Sequence, residues 1–211
     1  MATILHSVLT GSENHEPKGI DAASANQVYL ADGAGSGTHK RLFTCGWEDF
    51  NDLTTATTPI TIPASFTHVD LTNDGAGAFS DSTYRLPGNT AIWDTVADEF
   101  DWTAAGLSLG DTVDIRIDLM VTTVGANTDV GVGIDLAHGH ASEYSLDIHR
   151  TAFKTAGTYP LTRWYSVYIG DADVLANPAK IWIASDGAGT DTVKVNGWYV
   201  RTVPIHPVYS A

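Results

Sequence analysis

Residues 112–123 read TVDIRIDLMVTT. Val113, Ile115, Ile117, Leu119 and Val121 fall on one side of an extended chain, and Asp114, Arg116 and Asp118 on the other. Successive side chains of a strand point to opposite faces, so this period of two marks a strand with one face in a core. TDVGVGIDLA (128–137) repeats the pattern through Val130, Val132, Ile134 and Leu136, and Gly125-Ala126-Asn127 between the two reads as a hairpin turn. EYSLDIHR (143–150) alternates through Tyr144, Leu146 and Ile148. RWYSVYIG (163–170) and AKIWIASDG (179–187) are apolar on both faces, as in a sandwich interior or at a subunit interface. TVKVNGWYVRTV (192–203) reads as one long last strand with a bulge at Asn196-Gly197.

Shorter candidates precede these: PITIPA (59–64), FTHVDLT (66–72), TYRLP (83–87) and AIWDTVA (91–97). The one helical signal is a single turn in ADVLANPAK (172–180), ended by Pro178. Eight to ten short strands separated by turn signals predict an all-β chain, a β-sandwich of jelly-roll type over residues 46–211. Residues 1–45 differ in texture, with few large side chains and little periodicity, and are read as an extended arm that orders by docking on another protein.

The 211 residues are 43% hydrophobic, enough for a sizeable core, and only 17% charged, with a formal charge of −14. That sign repels nucleic acid and anionic membranes, so neither is expected as a partner. No window approaches the roughly 18 apolar residues of a membrane span, and MATILHSVLT lacks the basic and apolar regions of a signal peptide, so synthesis and folding in a cytoplasm are expected. The single cysteine, Cys45, lies between Phe43 and Trp47 and is read as a buried, inert thiol.

Four sets of residues bear on chemistry. DGAG occurs at 32–35, 74–77 and 186–189, but neither a P-loop nor a dinucleotide fingerprint is present, and the two later copies read as glycine turns. His138, His140 and His149 with Asp135 or Glu143 suggest a metal site, yet the Ala-His-Gly-His spacing favours a solvated loop, and no metal is expected. Glu48, Asp49, Asp52, Asp94, Asp98, Glu99 and Asp101 form no recognisable catalytic pair, and the G-x-S-x-G and H-E-x-x-H motifs are missing. No enzyme and no cofactor are expected. Aromatics are the strongest signal: Trp164, Tyr165, Tyr168, Trp182, Trp198 and Tyr199 cluster in the last strands. Adjacent pairs put a ring on each face, so one face needs a cover, and Trp164, Tyr165, Trp182, Trp198 and Tyr199 are read as a subunit interface.

HEPKGIDAASANQVYLADGAGSGTHKR (15–41) resembles a segment of tailed-bacteriophage virion proteins, through His15, Pro17, Gly19, Ile20, Val28, Tyr29, Ala31, Asp32, Gly33, Ala34, Gly35, Ser36, Gly37 and Thr38. It departs at His39, where that pattern usually has Trp. The domain after it resembles the jelly-roll, tumour-necrosis-factor-like domains of phage decoration and fibre proteins. The resemblance implies a virion structural protein on the outer head surface: a decoration (cement) protein, a homotrimer, whose arm (His15, Pro17, Gly19, Ile20, Val28, Tyr29, Asp32, Gly33, Gly35, Gly37) binds the major capsid protein. The alternatives are a short head or tail fibre that recognises a host glycan, and a jelly-roll carbohydrate-binding module.

Overall fold

The computed structural model describes residues 27–31, 37–205 and 208–209. In chain order these form β1 (Gln27–Ala31), β2 (Gly37–Phe43), β3 (Gly46–Asn51), a single turn α1 (Thr54–Thr57), β4 (Ile60–Thr61), β5 (Val69–Asp70), β6 (Trp93–Asp94), β7 (Glu99–Phe100), β8 (Thr112–Thr123), β9 (Thr128–Leu136), β10 (Tyr144–Phe153), β11 (Gly157–Tyr168), α2 (Ala172–Ala176), β12 (Lys180–Ser185), β13 (Thr192–Val203) and β14 (Val208–Tyr209). They fall into two units, residues 1–43 with 207–211, and residues 44–206.

The larger unit is a sandwich of two antiparallel sheets, ordered β11-β8-β13-β3 and β10-β9-β12-β5. Taken along the chain, its eight principal strands pair first with last (β3 with β13), second with seventh (β5 with β12), third with sixth (β8 with β11) and fourth with fifth (β9 with β10). Nested pairing of this kind is a long hairpin rolled up on itself, which is the jelly roll. The chain is therefore all-β, as its alternation predicts.

The rolling also corrects one local reading. Gly125–Asn127 do not close a hairpin, because β8 pairs with β11 and β13 while β9 pairs with β10 and β12. The connection carries the chain from one sheet to the other. Two strands whose apolar residues both face one interior look alike whether they are paired or stacked.

The core lies between the sheets. On β8 the six alternate residues from Val113 to Thr123 are buried, and they meet Val130, Val132 and Ile134 of β9 and Ile181 and Ile183 of β12. Trp93, Phe100, Trp102 and Trp198 fill one part of this core through edge contacts (Trp93–Phe100, 4.8 Å; Trp93–Trp198, 5.6 Å) and one stack (Phe100–Trp102, 5.6 Å). The register of β13 shifts between Val195 and Gly197, the bulge expected at Asn196-Gly197. One extra residue reverses the alternation, so Val193 and Val195 face inward before it and Trp198 and Val200 after it.

Both later DGAG copies are turns, with Gly75 (φ 61°) and Gly189 (φ 78°) in the left-handed region. Asp74 accepts hydrogen bonds from the Leu53, Thr54 and Ala76 amides and the Thr54 hydroxyl. Burial raises its pKa, but these donors outweigh it and hold the carboxyl at about 2. Of the shorter candidates, TYRLP (83–87) forms no strand and the others contribute two-residue strands. Cys45 is exposed rather than buried, because it lies in the link between β2 and β3 and outside both.

In the smaller unit, β1 and β2 pair antiparallel from Gln27↔Arg41 to Ala31↔Gly37. β14 adds to β2 and completes this three-stranded sheet. The described part of the arm thus pairs β1 with β2 and, through β2, with β14.

Candidate functional site

Sheet β11-β8-β13-β3 has an outer face that can be derived row by row from its register. One row across all four strands is Trp164, Arg116, Tyr199 and Asp49. The next is Ser166, Asp114, Arg201 and Trp47. On β8 the outward residues are those between the buried ones, and on β13 the bulge is what turns Tyr199 outward.

These side chains form one connected surface. The Arg116 guanidinium lies between two rings, 5.8 Å from the centre of Trp164 and 5.4 Å from that of Tyr199. Trp164 meets Tyr199 edge-on at 5.6 Å, and Tyr199 stacks on Trp47 at 5.9 Å. Trp47 in turn stacks on Tyr84 at 4.8 Å. Carboxylates hold the two arginines: Arg116 Nε donates to Asp118 Oδ2 (2.7 Å), and Arg201 donates twice to Asp114 Oδ2 (2.6 and 3.0 Å). Ser166 Oγ donates to the other Asp114 oxygen. Burial raises the pKa of Asp49, with Arg116 opposing the shift and Asp118 adding to it.

Trp164 is 56% exposed, Tyr168 63% and Tyr84 59%. Rings held by one another and by the Arg116 guanidinium lose little freedom on binding, so the face suits a flat partner, either protein or sugar. Its chemistry is recognition: aromatic planes with charged hydrogen-bonding groups beside them.

The five aromatics read as an interface separate here. Trp164 and Tyr199 belong to this face. Tyr165 points inward from β11 and is half-buried against the core. Trp198 is fully buried in the core. Trp182 is also fully buried, but on the outer side of the second sheet, beneath His68, whose ring stacks on it at 3.7 Å. Neither of these two has surface to offer a partner. Trp47, Tyr84, Arg116 and Arg201 complete the face and were missed. Arg116 was legible as an outward residue of β8, but its company depends on pairings to β11 and β13 that no local pattern reveals.

Of the arm residues, Val28 and Tyr29 lie in β1 and Gly37 opens β2. His15, Pro17, Gly19, Ile20, Asp32, Gly33 and Gly35 lie outside the described residues.

No family model matches the chain. No curated protein matches it either. Solved structures similar to it include a chain of the infectious bursal disease virus Gx strain (10% identical, TM-score 0.40, covering 83% of this chain and 36% of that one). The CBM22-1 xylan-binding domain from Paenibacillus barcinonensis is 11% identical, with a TM-score of 0.36 over 76% of this chain and 94% of that one. The PRD1 vertex protein is 14% identical, with a TM-score of 0.35 over 87% and 84%. This chain spans little more than a third of the bursal disease virus chain it matches.

Proposed function

We propose that the protein is a virion structural protein, a phage head decoration protein that binds the assembled capsid as a homotrimer. The observation that carries this reading is the aromatic and guanidinium face of sheet β11-β8-β13-β3, which offers a surface for a partner. The arm's resemblance to phage virion segments supplies the class of partner, the major capsid protein. Three arms on one trimer would raise the avidity of individually weak contacts, and binding only the assembled shell would stabilise it by linkage.

A second reading is favoured by one feature. Trp164 is an exposed indole with Arg116 and Asp49 in its row, an arrangement on which a sugar ring of a host glycan can stack and hydrogen-bond. A short fibre or a carbohydrate-binding module would use it in that way.

Co-sedimentation of the full chain with mature, undecorated heads, with isolated tails and with host cells separates these readings. Saturable binding to heads, at a stoichiometry commensurate with the lattice, is expected. Binding to tails or cells with none to heads would overturn decoration and favour the glycan-binding fibre.

A further inference from the structure

The turn between β9 and β10 gathers three metal-ligating side chains at one end of the second sheet. A carboxylate oxygen of Asp135, a ring nitrogen of His138 and a carboxylate oxygen of Glu143 all lie within 4.8 Å of one another. The backbone builds this cluster. Ala137 (φ 52°) and Gly139 (φ 76°) both take left-handed conformations, which fold the chain back directly after β9. The His138 amide donates to Pro178 O (2.8 Å), and the amides of His140 and Glu143 donate to Ala137 O and His140 O (3.0 Å each). The Gly139 amide donates to Glu143 Oε2 at 2.6 Å, which aims that carboxylate at His138.

An independent observation points to a ligand. Asp135 is only 7% exposed, and its Oδ1 is buried with no hydrogen-bond partner among the described residues. The same holds for His138 Nδ1. A buried carboxylate oxygen left unpaired is expensive. The nearest candidate cation in the register, Lys180 opposite Asp135, reaches Asp70 instead (3.9 Å). A carboxylate oxygen of Asp135 lies within 4.8 Å of its two neighbours, and Glu143 Oε2 stands 3.5 Å from His138 Nδ1, its ion-pair partner. Two ligands held roughly 2.1 Å from one tetrahedral ion are separated by about that distance.

We propose that Asp135, His138 and Glu143 form a binding site for a divalent transition metal, of which Zn²⁺ is the best match. One imidazole with two carboxylates suits zinc, whereas calcium and magnesium prefer a larger set of oxygens alone. The ion ties the end of β9 to the start of β10 and leaves a coordination position open to water or to a partner's side chain. His140 and His149 stand outside the site. His140 Nδ1 accepts from the Ser142 amide (3.2 Å), and His149 Nε2 lies 2.6 Å from Arg163.

The test is calorimetric titration of the untagged full chain with Zn²⁺ after dialysis against a chelator, with melting followed in parallel. One equivalent per chain is expected, with a melting temperature that rises with zinc. His138→Gln should lower the affinity by at least about tenfold and abolish the thermal shift, while His140→Gln leaves both unchanged. Asp135→Asn should weaken zinc binding comparably yet leave the metal-free chain no less stable, because it removes an uncompensated buried charge. Absence of saturable binding, or an equal loss in His140→Gln and His138→Gln, would overturn the site.

Discussion

Glu48 places a carboxyl group in the core at a cost. Its side chain faces inward from β3, 2% exposed; Oε2 accepts from the Ile92 amide at 3.1 Å, and Oε1 is buried with no partner among the described residues. Burial raises its pKa from 4.5 to about 7, opposed by the Ile92 hydrogen bond and by Arg85. Between those two values the folded chain keeps a proton that the unfolded chain has lost. Stability contributed by this group is therefore fully present below pH 4.5 and is lost as pH rises through 7. Glu48→Gln removes the titration, so at pH 8 it should stabilise the chain by about 3 kcal/mol relative to its effect at pH 4. Urea denaturation of both proteins at the two pH values measures this, and an equal difference at both would refute it.

At the scale of the element, β9 shows what alternation tells and what it conceals. Its apolar face was legible from Val130, Val132, Ile134 and Leu136. The intervening Gly131 and Gly133 add nothing to that alternation, although they are what the outer face requires. A Cβ on Gly133 would run into the Trp182 ring and the Leu146 carbonyl, and one on Gly131 would stand 3.0 Å from the Phe66 ring. The glycines are the floor on which two aromatic rings lie, an arrangement that covers a bare stretch of sheet. Gly133→Ala should thus cost about 3 kcal/mol by overpacking, and shortening the ring with Trp182→Leu in the same chain should recover part of that loss. Denaturant midpoints of the single and double variants decide the matter; strictly additive losses would show that the ring does not constrain this position. The same limit explains the rest of the reading. Periodicity in β8 and the bulge in β13 are local and were visible, whereas the placement of β8 and β9 in opposite sheets, the burial of Trp182 and the four-strand aromatic row depend on partners up to about 150 residues away in the chain. The His138 loop was singled out by composition alone, but the buried oxygen of Asp135, which gives that loop its meaning, is a product of the fold.

For the whole molecule, the outer face of sheet β11-β8-β13-β3 sets the assembly to expect. The opposite sheet covers Trp182 with His68 and puts Arg150 over Phe66 at 4.0 Å, leaving Tyr144 exposed on its edge strand. The first sheet leaves Trp164 and Tyr168 more than half exposed, and its arginines Arg116 and Arg201 are each paired with a carboxylate. A chain with a net charge of −14 repels its own copies at long range, so association must concentrate where short-range contact outweighs that repulsion. On this face Arg116 and Arg201 compensate Asp118 and Asp114, and the rings supply apolar area. If the proposed trimer forms through this face, light scattering on the full chain should give three times 22.4 kDa, and Trp164→Asp, which puts a charge on the exposed end of the aromatic row, should return the mass to that of one chain without lowering its melting temperature below that of a dissociated wild type. High salt should favour the trimer, since it screens the like charge and leaves ring burial intact. A mass of one chain at every concentration and salt would remove trimerisation from the proposed function and leave the aromatic face free for the capsid or for a glycan.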